Sequence, residues 1–157
     1  MAEILIHDAF GELLLRYETK DGSDGLADAV LEGAHLYGAQ LARANLARAD
    51  LYWALLFNAD LSGANLEWAS LRGASLKDAN LENANLRNAD LGLDNLGGST
   101  SLEGANLRGT DLRWTKLTGA TYDETTTFPD GFDPVRAGMR LTGPTSPSQL
   151  RRTKKKR

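Results

Sequence analysis

The chain of 157 residues contains no cysteine, only two histidines and few aromatic residues, which make up 7% of the sequence. The absence of cysteine excludes disulfides, thiolate metal sites and cysteine nucleophiles, and it is compatible with a reducing compartment. A conventional core of one domain of this length contains more Val, Ile and Phe. No apolar run approaches the roughly 18 residues that a membrane span requires. We therefore expect a soluble protein of one domain with an unusual core.

The two ends of the chain differ in charge. The segment from Met1 to Asp8 carries Glu3 and lacks the basic and long apolar regions of a signal peptide, so we expect a cytoplasmic protein. Residues 140–157 are rich in Pro, Ser and basic side chains and are predicted to be a disordered tail. Such a tail is either simply solvated or attracts nucleic acid and other acidic surfaces weakly, because no aromatic residue is interleaved with its charges.

Leucine recurs at every fifth position through the middle of the chain, and alanine stands two residues before each of the first thirteen leucines. The unit reads Ala-(Asp/Asn)-Leu-X-X, as in Ala49-Asp50-Leu51. After Leu96 one residue is inserted and the period resumes at Leu102. We predict that the thirteen leucines form the structural core: Leu31, Leu36, Leu41, Leu46, Leu51, Leu56, Leu61, Leu66, Leu71, Leu76, Leu81, Leu86 and Leu91.

A period of five fits neither regular element. On an α-helix five residues advance by about 500°, so the leucines drift by about 140° per repeat and form no face. On a continuous strand an odd period sends alternate leucines to opposite sides. The chain must therefore turn once per repeat, as in a solenoid. Leu and the Ala two residues before it then share the inside of the coil and fill it, which leaves no room for a ligand.

These Ala-(Asp/Asn)-Leu units, over residues 26–128, resemble the motif A(D/N)LXX of the pentapeptide-repeat family. The resemblance implies an all-β solenoid, namely a right-handed quadrilateral parallel β-helix of about five coils. Such a solenoid exposes its core at both ends and needs caps. We predict an N-terminal cap over residues 1–25, with a helical segment at about 8–19, and an irregular C-terminal cap over 129–139.

The repeat breaks between residues 90 and 100, where Asp94 replaces the inward alanine and glycines become frequent. One interpretation is a bulge that absorbs the one-residue insertion near 97–100. The other is a cation site with oxygen ligands from Asp90, Asp94 and Asn95.

Stacking the repeats four to a coil predicts two surface features. One is a structural ladder of side-chain amides, formed by Asn45, Asn65, Asn85 and, past the insertion, Asn106. The other is an apolar patch, a candidate surface for binding a partner or for self-association; alternatively, the N-terminal segment packs over it. The patch comprises Tyr37, Tyr52, Trp53, Leu55 and Phe57.

Neither a catalytic motif nor a cofactor motif occurs in the sequence, and a filled rod offers no deep pocket. We therefore predict a non-catalytic structural or protein-interaction module of bacterial type, without a cofactor, whose partner is another protein. The alternative comes from the resemblance, because some family members imitate an acidic DNA rod and bind gyrase. Against it, the repeats from Ala29 to Tyr122 are nearly neutral, and the central residue is leucine where the gyrase-binding members tend to have phenylalanine.

Overall fold

The chain forms a β-helix solenoid in which each coil stacks on the next. The computed structural model describes residues 3–19 and 25–143. Parallel bridges join each side of a coil to the side four repeats later, as from Asn45 to Asn65, which are 20 residues apart. Because the leucine period is five, each coil has four sides.

We number the four sides in chain order by the residues at their centres. Side 1 contains Leu26, Leu46, Leu66, Leu86 and Leu112, and side 2 contains Leu31, Leu51, Leu71, Leu91 and Leu117. Side 3 contains Leu36, Leu56, Leu76, Leu102 and Tyr122, and side 4 contains Leu41, Leu61, Leu81, Leu107 and Phe128.

Each pentapeptide makes one side and one corner because of its local hydrogen bonds. At a typical corner Ala34 N donates to Leu31 O at 3.1 Å, and Gly33 between them has a φ of 64°. A positive φ at the third residue alone matches a type II turn, which glycine adopts without steric cost. The Asp or Asn before the leucine closes a second small turn, as where Tyr52 N donates to Asp50 Oδ1 at 3.1 Å. The motif thus encodes the bend directly.

The leucines and alanines fill the inside of the coil. All thirteen leucines from Leu31 to Leu91 are buried, and none is more than 4% exposed. Full burial of a leucine side chain contributes about 1.5–3 kcal/mol before entropy is subtracted. The small alanines occupy the space between the leucines, so the interior is packed along its length.

A β-hairpin covers the first coil, and the prediction of a helix over about residues 8–19 is wrong. Strands β1 (Glu3–His7) and β2 (Leu13–Glu18) pair in antiparallel register. Ile4 and Ile6 lie opposite Tyr17 and Leu15, and the four side chains pack against the core. Gly11, with a φ of 85°, lies in the turn between the two strands, and this left-handed conformation interrupts a helix through residues 8–19. The hairpin also supplies backbone partners to the open end, since Gln40 N donates to His7 O at 2.8 Å.

The C-terminal cap extends beyond its predicted end at residue 139. Strand β3 (Thr121–Tyr122) pairs in parallel with strand β4 (Arg140–Leu141), in the part of the chain predicted to be a disordered tail. The last coil has unpaired backbone groups, and strand β4 satisfies some of them: Arg140 N donates to Ala120 O at 2.8 Å. The remainder of the predicted tail, residues 144–157, lies outside the described residues.

The break near residue 95 is a longer excursion than the predicted insertion of one residue. Bridges across it join Ser75 to Ser101 and Asn80 to Asn106, so the interval between stacked positions is 26 residues here and 20 residues in the coils before the break. One whole repeat and one further residue therefore leave the wall, and Leu96 is 82% exposed. The physical reason is Asp94, because an ionised carboxylate cannot take the inward alanine position of a dry core. We call residues 92–99 the excursion loop.

Candidate binding surfaces

The residues predicted to ligate a cation all make hydrogen bonds within the chain. Asp94 Oδ2 accepts from the indole Nε1 of Trp53 at 2.6 Å, and Asp94 Oδ1 accepts from the backbone N–H groups of Leu96 and Gly98. The hydrogen bond from the Trp53 indole, with help from the two backbone donors, lowers the pKa of the Asp94 carboxyl. The Asp94 carboxylate therefore anchors the excursion loop to the wall.

The Asp90 side chain and the Asn95 backbone also make hydrogen bonds. Asp90 accepts from Gly92 N at 3.0 Å and from Lys116 Nζ at 3.3 Å, and Asn95 N donates to the hydroxyl of Tyr52 at 3.2 Å. Among residues 3–19 and 25–143, no group of three or more His, Asp or Glu side chains is arranged to hold a metal ion. Within the same ranges, no helix is long and apolar enough to cross a membrane.

The structure divides the predicted aromatic patch into two parts. On side 2, the rings of Tyr52 and Trp53 lie 4.8 Å apart, and both side chains hydrogen-bond to the excursion loop. The loop therefore contacts this half, whereas Phe10 of the N-terminal hairpin is 96% exposed and does not pack over it.

The other half of the patch lies on side 3. Tyr37 and Phe57 have ring centroids 6.4 Å apart, and Leu55 is half-buried beside them. Tyr37 is 60% exposed, and its hydroxyl accepts a hydrogen bond from Asn58 Nδ2 at 3.3 Å. Tyr37 is therefore the most exposed residue of the predicted patch, ahead of Trp53, which is 41% exposed.

The predicted asparagine ladder holds for its first three residues. Asn65 Nδ2 donates to Asn45 Oδ1 at 3.2 Å, and Asn85 Nδ2 donates to Asn65 Oδ1 at 3.1 Å. The next residue in this column on side 1 is Asp111, so the assignment of Asn106 to it is wrong. The extra repeat in the excursion loop moves Asn106 to the adjoining side of the coil.

Asn106 instead belongs to a second ladder, on side 4, which the sequence analysis missed. Asn80 Nδ2 donates to Asp60 Oδ1, and Asn106 Nδ2 donates to Asn80 Oδ1, both at 3.2 Å. Thr127 Oγ1 extends the column by donating to Asn106 Oδ1 at 3.0 Å. Two neighbouring sides thus carry continuous side-chain ladders.

All three tryptophans occupy corner positions with positive φ: Trp53 at 56°, Trp68 at 62° and Trp114 at 59°. Glycine fills the same corner position at Gly33 and elsewhere, because the left-handed conformation costs other residues about 1–2 kcal/mol. Trp53 recovers this cost through its hydrogen bond to the excursion loop. No such bond holds the side chain of Trp68 within the described part of the chain. The positive φ belongs to the repeat corner rather than to tryptophan, since Arg43 and Asn83, among others, adopt it as well.

Trp68 and Trp114 flank a surface groove that the sequence analysis also missed. Both rings project from the corner after side 1, two coils apart with Asn88 between them, and they are 61% and 67% exposed. The groove has a volume of about 330 Å³ and reaches across side 2 to Arg72 and Lys116. An insertion of one residue would stack residue 109 on Asn88. The longer excursion instead stacks Trp114 on Asn88, and this aligns Trp114 with Trp68.

The guanidinium groups of Arg87 and Arg113 lie close to the ring of Trp114. The guanidinium carbon of Arg87 lies 5.2 Å from the ring centroid, and that of Arg113 lies 5.9 Å from it. Both arginines also pair with Asp111, at 4.0 Å and 2.6 Å. The Arg113 guanidinium holds the pKa of the Asp111 carboxyl down at about 2. Trp114 therefore lines the groove and also contacts two arginines of side 1.

A family model described as pentapeptide repeats, in eight copies, matches residues 26–63, 59–92 and 99–121. These ranges cover more than half of the chain, and they omit most of the excursion loop. The chain belongs to the pentapeptide-repeat family.

This pentapeptide-repeat protein is similar to several solved structures. The pentapeptide-repeat protein alr5209 from Nostoc is 38% identical to it, with a TM-score of 0.48, over 72% of this chain and 84% of that one. HetL, a pentapeptide-repeat protein involved in heterocyst differentiation regulation in Nostoc, is 29% identical, with a TM-score of 0.39, over 72% and 55% of the two chains. A pentapeptide-repeat protein from the thylakoid lumen of Arabidopsis thaliana is 28% identical, with a TM-score of 0.42, over 76% and 70%. No curated protein matches the chain.

Proposed function

We propose that this protein is a non-catalytic protein-interaction module, located in the bacterial cytoplasm, that binds its partner through the outer walls of a right-handed coil. The observation that supports this proposal is the packed interior, in which the leucines from Leu31 to Leu91 are at most 4% exposed. A coil whose interior is filled by these leucines can bind a partner only through its exterior. The walls suit this role, because stacked coils display side chains at a fixed spacing of about 4.8 Å.

The surface proposed to bind the partner protein centres on Tyr37 and Phe57 of side 3. Aromatic side chains dominate the binding energy of many protein interfaces because they bury large areas with little loss of conformational freedom. Tyr37 is 60% exposed, so it has area to bury against a partner, whereas Tyr52 and Trp53 are already engaged with the excursion loop.

An affinity-capture experiment tests this function. The full chain is immobilised, exposed to a soluble extract of the source organism, and compared with Tyr37→Ala and with the control Leu96→Ala, which removes an exposed apolar group from the excursion loop. We expect a retained protein that the Tyr37→Ala variant loses and the Leu96→Ala variant keeps. Equal retention by all three chains contradicts the proposed surface. Sedimentation of the purified chain at increasing concentration identifies the case in which the partner is a second copy.

Regulation of gyrase by imitation of DNA is the alternative function, and the charges on the walls do not favour it. A DNA mimic needs a strongly negative face, whereas Arg43, Arg48, Arg108 and Arg113 are exposed on sides 1 and 4. We expect no inhibition of gyrase supercoiling at micromolar concentrations of the purified protein. Inhibition at such concentrations would replace the first proposal with this one.

A further inference from the structure

A second site, distinct from the side 3 surface and outside the proposed protein-binding function, lies between Trp68 and Trp114. The two tryptophans occupy equivalent corners two coils apart, a separation of about 9.6 Å along the stack. Backbone hydrogen bonds between coils hold both corners, since Trp68 N donates to Arg87 O at 3.0 Å and Asn88 N donates to Arg113 O, next to Trp114, at 3.1 Å. A pair of rings held at fixed spacing on a rigid wall is pre-organised to bind an extended ligand.

The floor between the rings offers both hydrogen-bond donors and acceptors. Arg72 uses Nε to bind Leu93 O at 2.8 Å, which leaves its terminal N–H groups to face a ligand. Lys116 and Asp90 form a pair at 3.3 Å in the floor, and Asn88 contributes a donor and an acceptor between the two tryptophans. A second groove of about 600 Å³ continues from Arg72 and Lys116 along side 2 towards Thr118. The site is therefore long, polar and of mixed charge.

This chemistry selects among the ligands that stack on tryptophan. Single-stranded nucleic acid also stacks on aromatic rings, but it requires a groove with several cations along its phosphates. Here Asp90 pairs with Lys116, which leaves Arg72 as the one cation of the lining that forms no ion pair with a carboxylate among the described residues. A pyranose ring presents weakly positive C–H groups to the negative face of an indole. Its hydroxyl groups need donors and acceptors in similar number, which Arg72, Asn88 and Asp90 supply.

We propose that the groove between Trp68 and Trp114 binds an extended, uncharged glycan of β-1,4-linked pyranoses. In such a chain every second ring presents the same face, and two rings span the separation of two coils, so the two tryptophans stack on alternate sugars. Arg87 and Arg113 support this by restricting the movement of the Trp114 ring, because their guanidinium carbons lie 5.2 Å and 5.9 Å from its centroid.

Calorimetric titration of the full chain with cellohexaose and with chitohexaose tests the proposal. We expect binding of at least one of them, with Trp68→Asn and Trp114→Asn each weakening it by about tenfold or more through the loss of one stacking contact. Asparagine is chosen because it tolerates the left-handed corner, so both variants should fold. Tyr37→Ala is the control on side 3, and it should bind the glycan as the original chain does.

Two further ligands distinguish the alternatives. Maltohexaose has the same composition as cellohexaose but a curved α-1,4-linked chain, and we expect it to bind at least tenfold more weakly. An oligothymidylate of twelve nucleotides tests the nucleic-acid alternative. The proposal is overturned if neither β-1,4-linked hexamer binds at millimolar concentration, if the two asparagine variants bind as the original chain does, or if the oligothymidylate binds in preference to the glycans. Loss of the captured protein partner in the Tyr37→Ala variant does not affect any of these outcomes.

Discussion

Trp53 and Asp94 are 41 residues apart in the chain, and the indole Nε1 of the first donates a hydrogen bond of 2.6 Å to the carboxylate of the second. The ring of Trp53 reaches this position by lying over Gly73 of the next coil, where an added Cβ would collide with it. Asp94 in turn closes the excursion loop by accepting from Leu96 N and Gly98 N. The hydrogen bond between these two side chains thus attaches the excursion loop to side 2 of the coil.

Replacement of two tryptophans by asparagine should have opposite effects on stability. Trp53→Asn relieves the same backbone strain as Trp68→Asn but also removes the donor to Asp94, so we expect the free energy of unfolding to fall by about 2 kcal/mol. Trp68→Asn removes a ring that is 61% exposed, and its free energy of unfolding should stay unchanged or rise by up to about 1 kcal/mol. Urea denaturation of both variants measures the difference. A similar loss in both would show that Trp68 has a structural role.

The contribution of Asp94 to stability should depend on pH. The Trp53 indole and the backbone donors lower the pKa of the folded-state carboxyl below its ordinary value of 3.8. A lowered folded-state pKa means that the ionised carboxylate stabilises the protein above pH 3.8, and that this contribution is lost as the pH falls through the folded-state pKa. The thermal midpoint of Asp94→Asn should therefore lie below that of the original chain at pH 7, and the gap should narrow as the pH is lowered below 3.8. A gap that is the same at pH 7 and pH 3 would contradict this role.

Two leucines that share the sequence period should differ in energetic importance. Leu66 is fully buried in the coil, whereas Leu96 is 82% exposed in the excursion loop. We expect Leu66→Ala to lower the free energy of unfolding by about 2–5 kcal/mol, because it leaves a cavity, and Leu96→Ala to change it by less than about 0.5 kcal/mol. Chemical denaturation of the pair measures this directly. Equal losses would place Leu96 in the core and contradict the excursion.

A double-mutant cycle distinguishes the two possible alignments across the break. Asn106 Nδ2 donates to Asn80 Oδ1 at 3.2 Å, so alanine substitutions at these positions should couple by about 0.5–1.5 kcal/mol. Asn85 lies on side 1 and its column continues to Asp111, so Asn85→Ala and Asn106→Ala should be additive within about 0.5 kcal/mol. Coupling between Asn85 and Asn106, together with additivity between Asn80 and Asn106, would instead support the alignment with an insertion of one residue.

Local chemistry in the sequence was sufficient to determine the repeating part of this protein. A leucine at every fifth position excludes helix and continuous strand, the Asp or Asn before it closes a turn as at Asp50, and Ala fits beside Leu in a narrow interior. Because each of these interactions spans only a few residues, it produces a pattern that can be recognised in the sequence. The family motif adds the β-helix solenoid on the same residues.

The tertiary structure alone decided what happens where the pattern stops. The hairpin of strands β1 and β2 replaces the predicted helix because it hydrogen-bonds to the open end of the coil. The sequence of residues 8–19 by itself does not indicate this pairing. The excursion loop removes a whole repeat and one further residue from the wall, which moves Asn106 to side 4 and brings Trp114 into line with Trp68. Both outcomes depend on contacts between residues that are far apart in the chain. The buried Asp94 carboxylate needs hydrogen-bond donors, and one of them is the indole of Trp53, which only the stacking of the coils brings near.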